Sequence, residues 1–427
     1  MTTREFDVVI VGSGIAGAVM ARVLTQAGKS VLMLEAGLTA GADLTPEMAF
    51  AGYHSYLQTF YEKANKATNG PYPDLPAAPS PDVLEILPKM PSDKGYLVQM
   101  GPLPFASDCL RAPGGTTLHW LGNVPRMLPN DFRMKTLYGR GVDWPISYAQ
   151  LQPYYEMAEL EIGVAGDVSA QVGPDMSRAN YGPGYEFPMR AIPQSYQDQV
   201  WIRNSAGEAV ELAGESFHIQ YVSMPQGRNS VPNPAYPYAG VTWCPSEQRL
   251  RLDPATSGYE PVGSVWSPYT GERCEGNASC VPICPVQAKY NALKTLRRAN
   301  RDHLRIVTQA VASKLVIDPD TRRISGIEYK SYASATDPRF TMHVAKGRLY
   351  VLAAGALENA KLLLMSDAAN SSDQVGRNLM DHLVMLTWGL FRQDKVYPYR
   401  GPGCTTYIPT FRDGAFRKDF SAWISPL

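Results

Sequence analysis

The turn Gly12-Ser13-Gly14-Ile15-Ala16-Gly17 constrains this chain more than any other feature. It follows a buried-strand pattern from Phe6 to Val11 and opens a helical pattern from Ile15 to Ala27 that closes at Gly28. Ser30 to Glu35 then reads as a second strand. In such a βαβ unit Gly12 makes the tight strand-to-helix turn, Gly14 lets backbone approach a diphosphate, and Gly17 lets helix and strand pack closely. The amides at the helix N-terminus face the same anion. Glu35 ends the second strand, where a carboxylate holds the ribose hydroxyl pair of a bound dinucleotide. The same carboxylate would repel a 2′-phosphate, which disfavours NADP. The turn alone leaves NAD and FAD open.

Beyond the first βαβ unit the pattern changes several times. From about Ala40 to Ala112 it is broken by Pro71, Pro73, Pro76, Pro79 and Pro81, and it reads as an insertion covering a cofactor. A helix is expected over Tyr148 to Ile162, and strands of a substrate-side sheet between Arg203 and Arg251. Strand patterns return at Leu304 to Val307, Leu315 to Asp318 and Leu349 to Ala353, the last leading through a glycine turn into a helix at Leu357 to Met365. The expected fold is therefore α/β: a discontinuous Rossmann-type domain (residues 1–40, 105–145 and 270–385), an insertion (41–104), and an interleaved α+β substrate domain (146–269 and 386–427).

Three further segments bear on the choice of cofactor. Gly114-Gly115-Thr116-Thr117-Leu118-His119-Trp120, the turn Ala353-Ala354-Gly355-Ala356-Leu357-Glu358-Asn359, and Val375-Gly376-Arg377-Asn378-Leu379-Met380-Asp381-His382 resemble the flavin-contacting motifs of the glucose-methanol-choline (GMC) oxidoreductases. The His-Trp pair and Asp143-Trp144-Pro145-Ile146 resemble the branch of that family holding sugar, gluconate and fructose dehydrogenases and pyranose oxidases. The likeness runs discontinuously from Phe6 to His382. It implies an FAD site and oxidation of an alcohol carbon, with hydride passing to the flavin N5. The residues it assigns to FAD begin with Gly12, Ser13, Gly14, Gly17, Glu35 and Ala36 in the fingerprint unit. Gly114, Gly115, Thr116, Thr117, His119 and Trp120 follow in the middle segment, and Val311, Gly355, Asp381 and His382 beyond it. In some members of the branch the histidine matching His119 carries the flavin covalently; a hydrogen bond beside the flavin is the other reading.

Cys274, Cys280 and Cys284 place three of the six cysteines within eleven residues, on a loop whose Gly and Pro content opposes regular structure. Thiolates are soft ligands, and three of them suit an iron–sulfur cluster, while structural zinc takes four N or S ligands. The five- and three-residue gaps resemble the 3Fe-4S site of FAD-dependent glucose dehydrogenase catalytic subunits in the same family. Zinc or a four-iron cluster with Cys244 as fourth ligand, and a disulfide between two of the three, stay open. Cys109 and Cys404 read as buried small apolar residues.

Composition limits the partners. Forty basic and forty acidic residues cancel, which gives no basic excess for nucleic acid or an anionic membrane. No run nears the roughly 20 apolar residues of a membrane span, and residues 1–5 lead into a strand without a signal-peptide pattern. A soluble protein with a small sugar-like substrate is expected. The resemblance further implies a small companion subunit, a cytochrome c acceptor, and periplasmic delivery by co-export with that companion; without those the location is cytoplasmic. The family pattern continues to a C-terminal His-His or His-Asn pair, which is not found before Leu427. No catalytic base is assigned, since His54, His218, His303 and His343 lack supporting groups. The chain is accordingly expected to be a shortened member of such enzymes. Two alternatives accompany the dehydrogenase: a pyranose oxidase-type enzyme using O2, and a non-catalytic flavoprotein.

Overall fold

The computed structural model describes two compact units. The first holds residues 5–37, 43–44, 111, 113–118, 120, 291–333, 339–383 and 385; the second holds 121–247, 249–254, 259–261, 273–274, 288–290, 387 and 404–427. The passage into the second unit falls at Leu121, inside the 105–145 stretch expected in the dinucleotide-binding domain. The insertion at 41–104 lies outside the described residues apart from Asp43–Leu44.

The first unit runs β1 (Glu5–Val11), α1 (Ile15–Gln26), β2 (Val31–Leu34), β3 (Asp43–Leu44), α2 (Ala292–Arg297), β4 (Leu304–Val307), β5 (Ala310–Ile317), β6 (Ile324–Tyr332), β7 (Phe340–Leu352) and α3 (Ala356–Met365). These strands form one sheet in the order β5-β6-β7-β1-β2-β4-β3. The centre, β7-β1-β2-β4, is parallel, whereas β5, β6 and the start of β7 form an antiparallel meander. One strand joins the two regions: β7 pairs with β6 over Phe340 to Ala345, then runs parallel to β1 over Lys346 to Leu352. The α/β class is the one expected from the sequence. The meander strand β6 and the first half of β7 were not expected: residues 340–344 are all exposed and β6 is mostly half-buried, so neither carries the continuous apolar run of a doubly covered strand.

One face of this sheet buries Val9, Val11, Leu32, Leu34, Ala310, Leu315, Ile327 and Ala345 with Leu362 of α3. Each fully buried Val, Ile or Leu side chain contributes about 1.5–3 kcal/mol relative to exposure. Helix α1 ends where the sequence predicts: Gly28 sits at φ +72°, and the Gly28 and Lys29 amides return to Thr25 O (3.1 Å) and Leu24 O (3.0 Å).

The second unit carries the predicted helix Tyr148–Ile162, begun by a reciprocal cap in which the Ser147 N donates to Gln150 Oε1 (2.8 Å) and the Gln150 N to Ser147 Oγ (3.3 Å). The strands expected between Arg203 and Arg251 exist but do not make one sheet. They form a hairpin of Ala209–Leu212 with Glu215–His218, a hairpin of Tyr238–Cys244 with Arg249–Pro254, and a strand at Val222–Ser223 that pairs with Thr406–Ile408. The core of the unit is aromatic, with Phe132, Tyr148, Tyr181, Tyr185, Phe187, Tyr236 and Tyr259 buried together. Inside it Arg126 and Glu159 form a bidentate ion pair, both bonds 2.7 Å long, and the Tyr185 hydroxyl donates to the same carboxylate. The guanidinium carbon lies 4.4 Å from the Tyr181 ring centroid and 5.0 Å from that of Tyr185. A second buried carboxylate, Asp413, accepts from Asn130 Nδ2 (2.7 Å), the Gly414 amide (2.9 Å), Arg417 (3.2 Å) and the Tyr138 hydroxyl. Cys404 is half-buried, with φ +63°, and not the fully buried residue its composition suggested.

Candidate dinucleotide site

The glycine turn lies between the C-terminal ends of β1, β2 and β7. Gly12 takes φ +98°, and a Cβ there would stand 2.6 Å from Ala353 O, so this position admits only glycine at the point where the turn crosses β7. A Cβ on Gly17 would lie 2.0 Å from Gly12 O, which fixes how close α1 sits to the turn it leaves. Gly14 differs: its backbone is extended (φ −63°, ψ −174°), and among the described residues a Cβ would meet nothing within 4 Å. It is also the N-cap of α1 and supplies no side-chain cap, so the first-turn amides face that open side.

Glu35 is buried at the end of β2 and held by short-range donors. Its Oε2 accepts from the Ser13 amide (3.0 Å) and the Ser13 hydroxyl, and its Oε1 from the Gly37 amide (2.7 Å). Burial pushes its carboxyl above the usual range, against the bonds from Ser13 and Gly37 and the charge of Arg111. A carboxylate oxygen carries two acceptor positions, so Oε1 retains capacity for a ribose hydroxyl while the group stays fixed. The backbone beyond Glu35 is tied to β5: the Ala310 amide donates to Glu35 O and the Gln309 amide to Gly37 O, both at 2.9 Å. This places Val311 one residue past the strand position that holds the Glu35 turn; Ala36, half-buried, lies within the turn.

The middle segment reaches the same place. The Gly114 amide donates to Ser13 Oγ (3.1 Å), and a Cβ on Gly115 (φ +57°) would stand 3.3 Å from Gly14 Cα. The two glycine turns therefore touch backbone to backbone. Thr116 and Thr117 continue the segment in a short 3-10 turn, Gly115–Leu118, with the Trp120 amide donating to Thr116 O (3.0 Å). Thr117 Oγ1 donates to Gly114 O (2.6 Å) and accepts from the Ala292 amide at the start of α2 (2.9 Å). His119 lies outside the described residues.

Gly355 (φ +89°) is the N-cap of α3 and also has nothing within 4 Å of a Cβ position. Its turn is closed by Asn359, whose Oδ1 accepts from the Ala354 amide (3.0 Å) and whose Nδ2 donates to Leu352 O (3.2 Å). Asp381 and His382 are not brought to the glycine turn: the His382 ring is 96% exposed, and its amide donates to Asp381 Oδ1 (2.7 Å). Of the proposed metal ligands, Cys274 is half-buried against the aromatic core, its amide donating to Asn229 O (3.0 Å), while Cys280 and Cys284 lie outside the described residues. Among the described residues no cluster of His, Cys, Asp or Glu has the grouping of a metal site. No helix among them is long and apolar enough to cross a membrane. Sequence reading missed three supports of the site: the Gly37 amide, the Asn359 side chain, and the Thr117 to Ala292 bond. Only Asn359 left a signal, as a side chain that hydrogen-bonds backbone locally just after a Gly turn.

The open backbone at Gly14, the uncapped α1 N-terminus and the fixed Glu35 fit the diphosphate and ribose of a dinucleotide, and together define a Rossmann-type dinucleotide-binding protein. Comparison with known proteins narrows this. Residues 10–57 match the NAD(P)-binding Rossmann-like domain, and residues 256–384 match the family GMC oxidoreductase. The chain is 31% identical to the fructose dehydrogenase large subunit of Gluconobacter japonicus, over 98% of this chain and 66% of that protein. It is 24% identical to the 2-methyl-1,2-propanediol dehydrogenase of Mycolicibacterium austroafricanum and 24% to the gluconate 2-dehydrogenase flavoprotein of Pantoea cypripedii, each over 94% of this chain and 60% of the relative. The chain thus spans less than two thirds of the length of these relatives. The chain carries a GMC oxidoreductase domain together with a Rossmann-like nucleotide-binding unit, and this pairing supports FAD as the dinucleotide.

Proposed function

We propose that this chain is the FAD-carrying part of a dehydrogenase that oxidises a CH–OH group of a sugar, polyol or sugar acid. The observation that carries the reading is the Gly14, Glu35 and Gly115 cradle in a chain that follows a fructose dehydrogenase large subunit over 98% of its length. FAD, when bound, supplies two-electron oxidation of the alcohol carbon and can release the electrons singly. The protein's contribution begins at the phosphates: the amides of the first α1 turn face them, and the extended Gly14 leaves them room. Glu35 orients the adenosine ribose, its carboxylate locked by Ser13 and Gly37. Gly114, Gly115, Thr116, Thr117 and Trp120 line the flavin side together with His119, which holds the flavin either by a covalent bond through its ring or by a hydrogen bond. Ala36, Val311 and Gly355 complete the nucleotide contacts in this reading, while Asp381 and His382, exposed on the segment that follows α3, would meet the flavin away from the glycine turn.

We further propose that Cys274, Cys280 and Cys284 hold a 3Fe-4S cluster, whose chemistry is one-electron transfer. The donor set supports it: three thiolates at five- and three-residue gaps, with Cys274 seated in a half-buried position. An enzyme built this way delivers electrons to a protein acceptor, and a cytochrome c with a small companion subunit fits that role. Co-export with the companion would put it in the periplasm.

One experiment tests the reading. The protein is purified anaerobically, its absorption spectrum recorded, and iron, zinc and labile sulfide measured; it is then titrated with glucose, gluconate and fructose. Bleaching of the flavin, with iron and sulfide present and turnover supported by an artificial dye, is the expected result. Zinc at one equivalent without iron would remove the relay. Stoichiometric hydrogen peroxide without dye would favour the oxidase alternative, and a flavin that no sugar, polyol or sugar acid bleaches would favour a non-catalytic flavoprotein.

A further inference from the structure

Ser13 occupies one of the three positions of the glycine turn for which the fingerprint itself asks for no particular side chain. In this molecule it is almost fully buried, at 1% exposure, and its hydroxyl is used twice. Its single proton goes to Glu35 Oε2, and its oxygen accepts the Gly114 amide (3.1 Å) from a segment 101 residues away in sequence. The next atoms extend the chain of bonds: Gly114 O accepts from Thr117 Oγ1 (2.6 Å), which accepts the Ala292 amide (2.9 Å). Four separate stretches of the first unit, the ends of β2 and β1, the 113–118 segment and the start of α2, are therefore joined by two hydroxyl groups.

We propose that the Ser13 hydroxyl is a positioning residue that makes the ribose-facing carboxylate of Glu35 and the Gly114–Leu118 segment one unit, so that order at either is order at both. The proposal rests on the reading of this cradle as an FAD site. Without the hydroxyl, the Glu35 carboxylate is held by two bonds, from the Ser13 and Gly37 amides, in place of three and is less firmly oriented toward the ribose, and the Gly114 amide loses its acceptor. The two losses have one cause. Glu35 and Ser13 therefore do not act independently on FAD, although Ser13 need not touch the cofactor. Hydrogen bonding through the hydroxyl also offsets the burial of Glu35, with Arg111 the charged group that faces it.

The test is a double-mutant cycle on the full-length chain with Ser13→Ala, Glu35→Gln and both together, read by two measurements. Equilibrium dialysis gives the FAD dissociation constant, in a His119→Ala background so that no covalent link traps flavin. Hydrogen exchange gives the protection of the Gly114 amide in the FAD-depleted chain. Ser13→Ala is expected to weaken FAD binding about tenfold and to speed Gly114 exchange by at least as much, while exchange in β1 and β2 stays as in the parent. In the Glu35→Gln background the same change is expected to alter FAD affinity less than threefold. Additive effects of the two substitutions, or Gly114 exchange unchanged in Ser13→Ala, would overturn the proposal. A parent chain that binds no FAD would overturn the FAD reading instead, and the exchange measurement would still decide the Ser13 bridge. If Ser13→Ala does not fold, Ser13→Gly and Ser13→Thr replace it: the glycine is expected to reproduce the loss and the threonine, which keeps the hydroxyl, to restore binding to within threefold.

Discussion

A methyl group placed on Gly14 should separate cofactor binding from folding, because no described residue closes that position. Its φ of −63° and ψ of −174° are open to alanine, and the new Cβ would meet no atom of the described residues within 4 Å. The cost to the fold is confined to the poorer N-cap, about 1 kcal/mol. In the proposed reading the same methyl stands where the backbone approaches the FAD diphosphate, and overfilling a close contact costs about 1–3 kcal/mol, a dissociation constant about 5- to 150-fold weaker. Gly17→Ala makes the contrast. There the Cβ would lie 2.0 Å from Gly12 O, so α1 must lift from β1 and the turn between them must rebuild. That variant is expected to lose 3 kcal/mol or more in round terms, at or beyond the upper end of about 1–3 for overpacking. Both are compared with the parent in a His119→Ala background, by urea unfolding of the FAD-depleted protein and by equilibrium dialysis against FAD. If Gly14→Ala binds FAD within twofold of the parent, or unfolds as readily as Gly17→Ala, the assignment of Gly14 to the diphosphate is wrong.

The second unit offers its own tests. Glu159→Ala strands the Arg126 guanidinium in an aromatic core with two charge-assisted bonds removed, and should lower the unfolding free energy by about 3–5 kcal/mol in urea titration. Replacing the pair together, Arg126→Met with Glu159→Leu, should cost far less than Glu159→Ala alone. For Asp413, burial acts to raise the carboxyl, yet the donors of Tyr138, Asn130, Gly414 and Arg417 hold it below the usual carboxylate range. A depressed carboxyl stabilises the fold above its unfolded pKa, and that contribution disappears as pH falls through the folded value. Asp413→Asn should therefore be less stable than the parent near neutrality and lose less on acidification below about pH 4, measured by thermal unfolding across pH. Asn359→Ala removes the side chain closing the Gly355 turn, with one bond to Ala354 N and one to Leu352 O. It should cost about 1–3 kcal/mol, with fraying of the first turn of α3 visible by hydrogen exchange.

What the sequence reveals here follows the range over which each signal acts. The βαβ unit is legible because its strands, helix and glycines lie within 31 consecutive residues and each position has a local reason: apolar alternation, a cap, a close approach. Helix Tyr148–Ile162 is legible for the same reason, its start marked by Ser147 and Gln150 three residues apart. The meander is harder to see, because β7 serves two regions of the sheet at once. Its second half is flanked by parallel neighbours and reads as Leu-Tyr-Val-Leu, while its first half, Phe-Thr-Met-His-Val, borders only an antiparallel strand and keeps an exposed face. Least visible are the bonds that assemble the cradle. Ser13 to Gly114 spans 101 residues and Thr117 to Ala292 spans 175, and a hydroxyl at either place has no periodicity to distinguish it from any other serine or threonine. In the proposed reading the glycines mark where FAD approaches. How the separate turns are held at one spacing is a property of long-range hydrogen bonds through side chains that the motif leaves unspecified, and for that reason Ser13 carries more information about this particular molecule than the glycines on either side of it.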